Sequence, residues 1–153
     1  MNARPEADDI HGYCFEDLFV GMTASYAKPI TETDIVLFAG ISGDENPVHL
    51  NAESATRTMF EGRIEHGMLT ASFISTVLGT KPPGPDCIYF RQDLRFVAPV
   101  HPGDTVHSQT TNTDVNAEKE RVFALTVCRV GDTSVVEGEA NLFVPNQRKA
   151  DTA

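Results

Sequence analysis

Between Ser42 and His49 the chain reads Ser-Gly-Asp-Glu-Asn-Pro-Val-His, gathering a hydroxyl, two carboxylates, an amide and an imidazole in one short stretch. A carboxylate and an imidazole that share one water make an acid–base pair suited to neutral pH. Asp44 and His49 are poorly spaced for one helix face, but the Asn46-Pro47 turn between them can fold both side chains toward one point. The plainer reading is an Asx turn or helix cap followed by a histidine that makes a structural hydrogen bond. Spacing alone leaves both readings open.

A second cluster, Ile64-Glu65-His66-Gly67-Met68, directly precedes a long apolar run. Unpaired N–H groups at a helix start, aided by the helix dipole, can steady a developing oxyanion, and Gly67 would let a carbonyl come close. Gly67 could equally serve only a tight turn. Together the two clusters contain both halves of a proton-transfer site.

The elements that must position them follow from periodicity. Thr31-Glu32-Thr33-Asp34 offers a capping-box start, and Ile35, Phe38 and Ala39 recur at helical spacing, predicting a helix to about Ile41. Gly43 and Pro47 then interrupt, and a second short helix is expected from Asn51 or Ala52 to about Arg57. From His66 onward Met68, Leu69, Ala71, Phe73, Ile74, Val77 and Leu78 are apolar almost all round, which marks a helix buried on most sides. Gly79 and Pro82-Pro83-Gly84-Pro85 are expected to stop it.

Beyond that break the period becomes two. Residues 88–96 read as a half-buried strand with Arg91, Asp93 and Arg95 on the polar face, and residues 105–115, 121–130 and 135–144 read as further strands. A weaker pattern from Phe15 to Pro29 suggests an N-terminal strand. One nearly all-apolar helix and several antiparallel strands with one apolar face are best satisfied by an α+β domain whose sheet wraps a long central helix.

Composition narrows the functions. The chain has 153 residues, enough for one core, and 12 Lys+Arg against 22 Asp+Glu give a net charge of −10. That field repels phosphate backbones and anionic bilayers, so neither nucleic acid nor membrane is expected as a partner. Apolar stretches such as Val36–Ala39 are far too short to span a bilayer. No hydrophobic leader is visible in Met1–Asp9, and three scattered cysteines, Cys14, Cys87 and Cys128, suit a reducing cytoplasm. Residues 1–12 and 146–153 read as flexible tails around a single domain at 13–145.

Other chemistries find little support. His101 and His107 lack metal-ligand spacing, Asp44-Glu45-Asn46 lacks the remainder of a calcium loop, and no metal is expected. Gly79-Thr80-Lys81 lacks the frame of a phosphate-binding loop, and Cys87 and Cys128 fall in strands where thiols usually only pack.

The stretch from Phe38 to His49 closely resembles the hydratase-2 motif of the MaoC-like R-specific enoyl-CoA hydratases, and His66–Ser75 is similar to the start of that family's central helix. With Leu94-Arg95-Phe96, Pro99-Val100 and Gly103-Asp104, the resemblance spans about residues 15–145. It implies the hot-dog fold and reversible hydration of a trans-2-enoyl-CoA to an (R)-3-hydroxyacyl-CoA. Carried over by motif, Asp44 and His49 would be the catalytic pair and the Gly67 N–H the oxyanion donor. Ser75 would help hold the site and Asn46 would orient the loop. The family's substrate is an acyl-CoA thioester, with no cofactor implied, and its members are at least homodimers. Met59, Phe60, Phe73 and Ile74 suggest a short acyl group such as crotonyl. Arg57, Arg63, Lys81, Arg91 and Arg95 are undivided candidates for the CoA phosphates. The alternatives are a hot-dog acyl-CoA thioesterase, which would release free thiol, and a non-catalytic acyl-thioester-binding subunit.

Overall fold

Fourteen residues, Gly67–Thr80, form the long helix of the molecule, α4 in the chain order Thr23–Pro29 (β1), Glu32–Ser42 (α1), Pro47–Leu50 (α2), Ala52–Ala55 (α3), α4, Ile88–Phe96 (β2), Thr105–Asn116 (β3), Arg121–Val130 (β4) and Thr133–Phe143 (β5). A 3-10 turn at Phe15–Asp17 precedes β1. The computed structural model describes residues 11–147. The strands make one antiparallel sheet in the order β1-β3-β4-β5-β2.

The sheet closes over α4 because each element offers an apolar face to it. Phe73, Ile74, Val77 and Leu78 of α4 are buried with Val106, Val122, Cys128, Val136, Ala140 and Leu142 from β3, β4 and β5. Tyr26 of β1 meets Phe73 edge-on, ring centroids 5.8 Å apart. Truncating a fully enclosed residue such as Ile74 to Ala removes transfer energy and leaves a cavity, a combined cost of about 2–5 kcal/mol. The wrapped central helix expected from periodicity is thus the observed architecture.

Local departures have physical causes. The break read at Pro47 is instead the first residue of α2, a position where proline's missing N–H costs nothing and its fixed φ suits the helix; the Asn46 side chain caps it by accepting from the Val48 N–H at 3.1 Å. α4 runs through Gly79 to Thr80, so the proline run, not the glycine, ends it. The segment from Phe15 to Pro29 becomes a strand only at Thr23. β2 is not half-buried: it is the sheet's outer strand, and Ile88, Phe90 and Phe96 are each more than half exposed. The alternation was real, but among the described residues that face is only partly covered: the Arg121 guanidinium lies 3.5 Å over the Phe90 ring, and Leu94 packs against the core.

The tail readings at 1–12 and 146–153 fall mostly outside the described residues. Of their inner ends, a Cβ on Gly12 would clash with the Pro85 carbonyl oxygen, and the Gln147 N–H donates to the Glu16 carboxylate at 3.1 Å.

Candidate active site

α1 starts where its sequence says it should. The Thr31 hydroxyl accepts from the Asp34 N–H at 3.1 Å while the Asp34 carboxylate accepts from the Thr31 N–H at 2.8 Å, a reciprocal cap. Its Thr31 partners and Lys28 hold the Asp34 carboxyl down at about 2, against a desolvation that pushes it up. At the other end Gly43 adopts φ +76°, the left-handed conformation that stops the helix just before Asp44.

The turn then brings the acid and the base together. His49 Nε2 lies 3.8 Å from Asp44 Oδ2, too far for a direct hydrogen bond and close enough for both to hold one water at the same side. His49 is buried, whereas the Asp44 side chain is about half exposed. The ring is fixed by its other nitrogen: Nδ1–H donates to the Ile64 carbonyl at 2.9 Å, which leaves the Nε2 lone pair facing Asp44. Asn46 donates its own N–H to Asp44 Oδ1 at 3.2 Å while capping α2, so this one residue connects the acid to the helix that carries the base.

Arg63 braces the same helix from behind. Its Nε–H donates to the His49 carbonyl at 2.7 Å, and its Nη1 donates to both carboxylate oxygens of Glu32 at 2.7 and 2.9 Å. It is thereby committed to structure, which removes it from the candidates for CoA phosphates. Arg57, Arg91 and Arg95 are paired with Glu53, Asp93 and Glu137. Arg63→Ala should cost about 1–3 kcal/mol in urea unfolding, since it leaves the His49 carbonyl and Glu32 unpaired. Arg63→Lys should recover less than half of that, because an ammonium cannot span the three acceptors. Equal stability of all three proteins would show the brace to be idle.

The third element is the start of α4. His66 occupies the cap position without a side-chain cap bond, and among the described residues the Gly67 N–H has no protein acceptor. A Cβ at Gly67 would sit 2.8 Å from the Phe96 ring, so a larger residue would press on that ring and shut the approach to the N–H. Gly67 and His49 both line a cavity of about 520 Å³ whose remaining walls include Met59, Phe60, Ile64, Glu65, Thr70 and Phe96. Of the four bulky residues expected beside the site, Met59 and Phe60 are wall residues, while Phe73 and Ile74 belong to the core beneath. Ser75 is placed on the exposed face of α4 and is not part of the cavity wall.

Three residues of this neighbourhood escaped the sequence reading: Arg63 as a brace, His66 and Glu65. His66, 2% exposed, donates from Nε2–H to the Asp44 backbone carbonyl at 2.8 Å and stacks on His49, ring centroids 3.9 Å apart at 30°. Its position before Gly67 was the available signal. Glu65 is 3% exposed, and among the described residues neither carboxyl oxygen has a hydrogen-bond partner. Burial pushes it up to about 8, and Asp34 and Asp104 add to the rise, opposed by the nearby Thr70 N–H and Lys28. Burial likewise raises the Cys87 and Cys128 thiols, consistent with packing rather than nucleophilic roles.

Asp44, His49 and His66 also bring a carboxylate oxygen and two ring nitrogens within 4.8 Å of one another. The two rings are tilted by 30° to one another, and one nitrogen of each is already bonded to a backbone carbonyl.

His49 and the helix-start N–H of Gly67 share one cavity wall, and Asp44, which is not itself a wall residue, faces His49 from its rim at 3.8 Å, an arrangement able to move a proton on a bound substrate. Residues 21–136 match the MaoC like domain, and the chain belongs to that family. It is 52% identical over 139 residues to the (R)-specific enoyl-CoA hydratase of Rhodospirillum rubrum, an alignment covering 91% of this chain and 96% of that protein. It is 46% identical over 137 residues to the 3-hydroxybutyryl-CoA dehydratase of Methylorubrum extorquens, covering 90% and 87%. Among solved structures, the unliganded R-hydratase PhaJ1 from Pseudomonas aeruginosa superposes with a TM-score of 0.84 at 40% identity, covering 90% of this chain and 89% of that one.

Proposed function

We propose that the protein is an (R)-specific enoyl-CoA hydratase, adding water reversibly to a short trans-2-enoyl-CoA such as crotonyl-CoA. The observation that carries this reading is the 3.8 Å gap between Asp44 Oδ2 and His49 Nε2 at a cavity also lined by Gly67. A water held in that gap loses a proton to His49 Nε2 as its oxygen bonds to C3. The acid form of Asp44 delivers a proton to C2 from the same side, and His49 then returns its proton to Asp44, restoring the pair. Charge that builds on the thioester oxygen in between is met by the Gly67 N–H. Only water and the thioester are needed, so the proposal includes no cofactor and no metal.

The reading includes a homodimer in the cytosol. Exposed Phe90 and Phe96 on the outer strand, and the exposed Met68, Ser72, Ser75 and Gly79 along α4, offer a second copy an apolar and closely approachable surface. On this view Ser75 supports the site indirectly, by seating α4 at that seam. No helix among the described residues is long and apolar enough to cross a membrane.

The test is the purified protein with crotonyl-CoA. Loss of the conjugated enoyl absorbance, an (R)-3-hydroxybutyryl product, no free thiol and a dimeric mass by light scattering are expected. Thiol release would favour a thioesterase instead, and binding without any absorbance change a non-catalytic subunit.

A further inference from the structure

His66 is used by none of the steps above, yet it touches both reacting groups' supports. It is 2% exposed, at the cap position of α4, and held between the Phe38 ring (centroids 5.0 Å apart) and the His49 ring (3.9 Å). One nitrogen, Nε2, donates to the Asp44 backbone carbonyl at 2.8 Å, and the other, Nδ1, is buried with no hydrogen-bond partner among the described residues.

The consequences follow from what Asp44 lacks. Its side chain is about half exposed, and among the described residues its carboxylate is hydrogen-bonded only through Oδ1, to the Asn46 N–H at 3.2 Å, a bond within the same turn. Nothing in that turn fixes its distance from α4. The His66 bond is the long-range tie: it joins the backbone of the acid to the residue before the proposed oxyanion donor, while the flat ring contact prevents His49 from swinging away from Asp44. Acid, base and Gly67 are thus referred to one rigid point.

We propose that His66 is a positioning residue of the hydration site, which sets the Asp44–His49 gap through its Nε2–H bond to the Asp44 carbonyl and its stacking on His49. The kinetic part of this inference rests on the hydratase reading. A displacement of about 1 Å at a reacting group can cost roughly 10²-fold in rate, which sets the scale of the effect.

His66→Phe keeps a flat ring against His49 and removes the donor; His66→Gln keeps a donor amide and removes the ring. With crotonyl-CoA, His66→Phe should lower kcat about 10²-fold with KM within about threefold of wild type, and His66→Gln should recover roughly tenfold of that loss. Thermal unfolding of each variant identifies any that fail to fold, and backbone amide relaxation at Asp44–Asn46, recorded without substrate, reads the turn itself. Millisecond exchange there in His66→Phe, absent from wild type, is expected. A kcat within about threefold of wild type together with an unchanged turn would overturn the proposal, as would equal losses in both variants. If the wild type hydrates no enoyl thioester, the hydratase reading fails while the relaxation measurement still decides whether His66 orders the turn.

Discussion

Asp44→Asn and His49→Ala should each nearly abolish crotonyl-CoA hydration, and Asp44→Asn should leave thermal unfolding close to that of the parent. A positioned acid or base contributes roughly 10²–10⁴-fold, and both jobs fall on this pair, so kcat should drop by at least about 10³-fold in either variant. The double variant should be little worse than the worse single one, because groups that act as a unit give non-additive losses. Asn retains the acceptor for the Asn46 N–H and cannot release a proton to C2, so the Asp44→Asn loss should sit in kcat with KM almost unchanged. The Asp44 side chain is half exposed, so its replacement should cost little stability. His49 is buried and bonded to Ile64, and His49→Gln, which can keep a donor to that carbonyl, is the control for structure. Turnover within tenfold of wild type in Asp44→Asn would remove the pair from the mechanism.

The second large effect is on stability against pH. Glu65 ordinarily titrates at 4.5 and in the fold is pushed up to about 8 by burial. Between those values the folded state holds a proton that the unfolded chain has lost. Stability from this group is therefore complete below about pH 4.5 and falls as pH rises toward 8, by up to about 1.4 kcal/mol per pH unit. Glu65→Gln has no such proton, so urea-unfolding free energies measured for both proteins should diverge steadily over that window and run parallel outside it. The amide is a different hydrogen-bonding group, so the level of its curve can shift while the slope difference remains. Parallel curves from pH 5 to pH 8 would mean that the carboxyl is not kept protonated.

How much of this could be read from the residues depended on whether the signal was local. The Thr31 cap, the all-round apolar run of α4 and the period-two strands are set by neighbours a few residues apart, and the fold followed from them. Asp44 and His49 were legible because a turn of six residues contains both. Gly67 was legible as the small residue opening a buried helix. Arg63 was not, since its meaning lies in the carbonyl of His49 and in Glu32, which only the folded chain brings to it. His66 and Glu65 stood in plain view beside Gly67, but a sequence does not tell which way a side chain turns at a helix start. The reading of β2 failed for a related reason: alternation reports that a face wants cover and not whether the same chain provides it. Phe73 and Ile74 were assigned to the substrate's surroundings for being near Gly67 in sequence, whereas the helix turns them toward the sheet.

Both imidazoles at this site are anchored to main-chain carbonyls, those of Ile64 and Asp44, and none of the anchors is a side chain of the chamber's outer wall. The anchoring of the two rings therefore rests on main-chain atoms, whereas the room beyond them is shaped by side chains such as Met59 and Phe60. Replacing Met59 or Phe60 can enlarge or shrink that room without disturbing the proton path, so chain-length preference is free to drift during evolution, and to be re-engineered, around an unchanged chemical step.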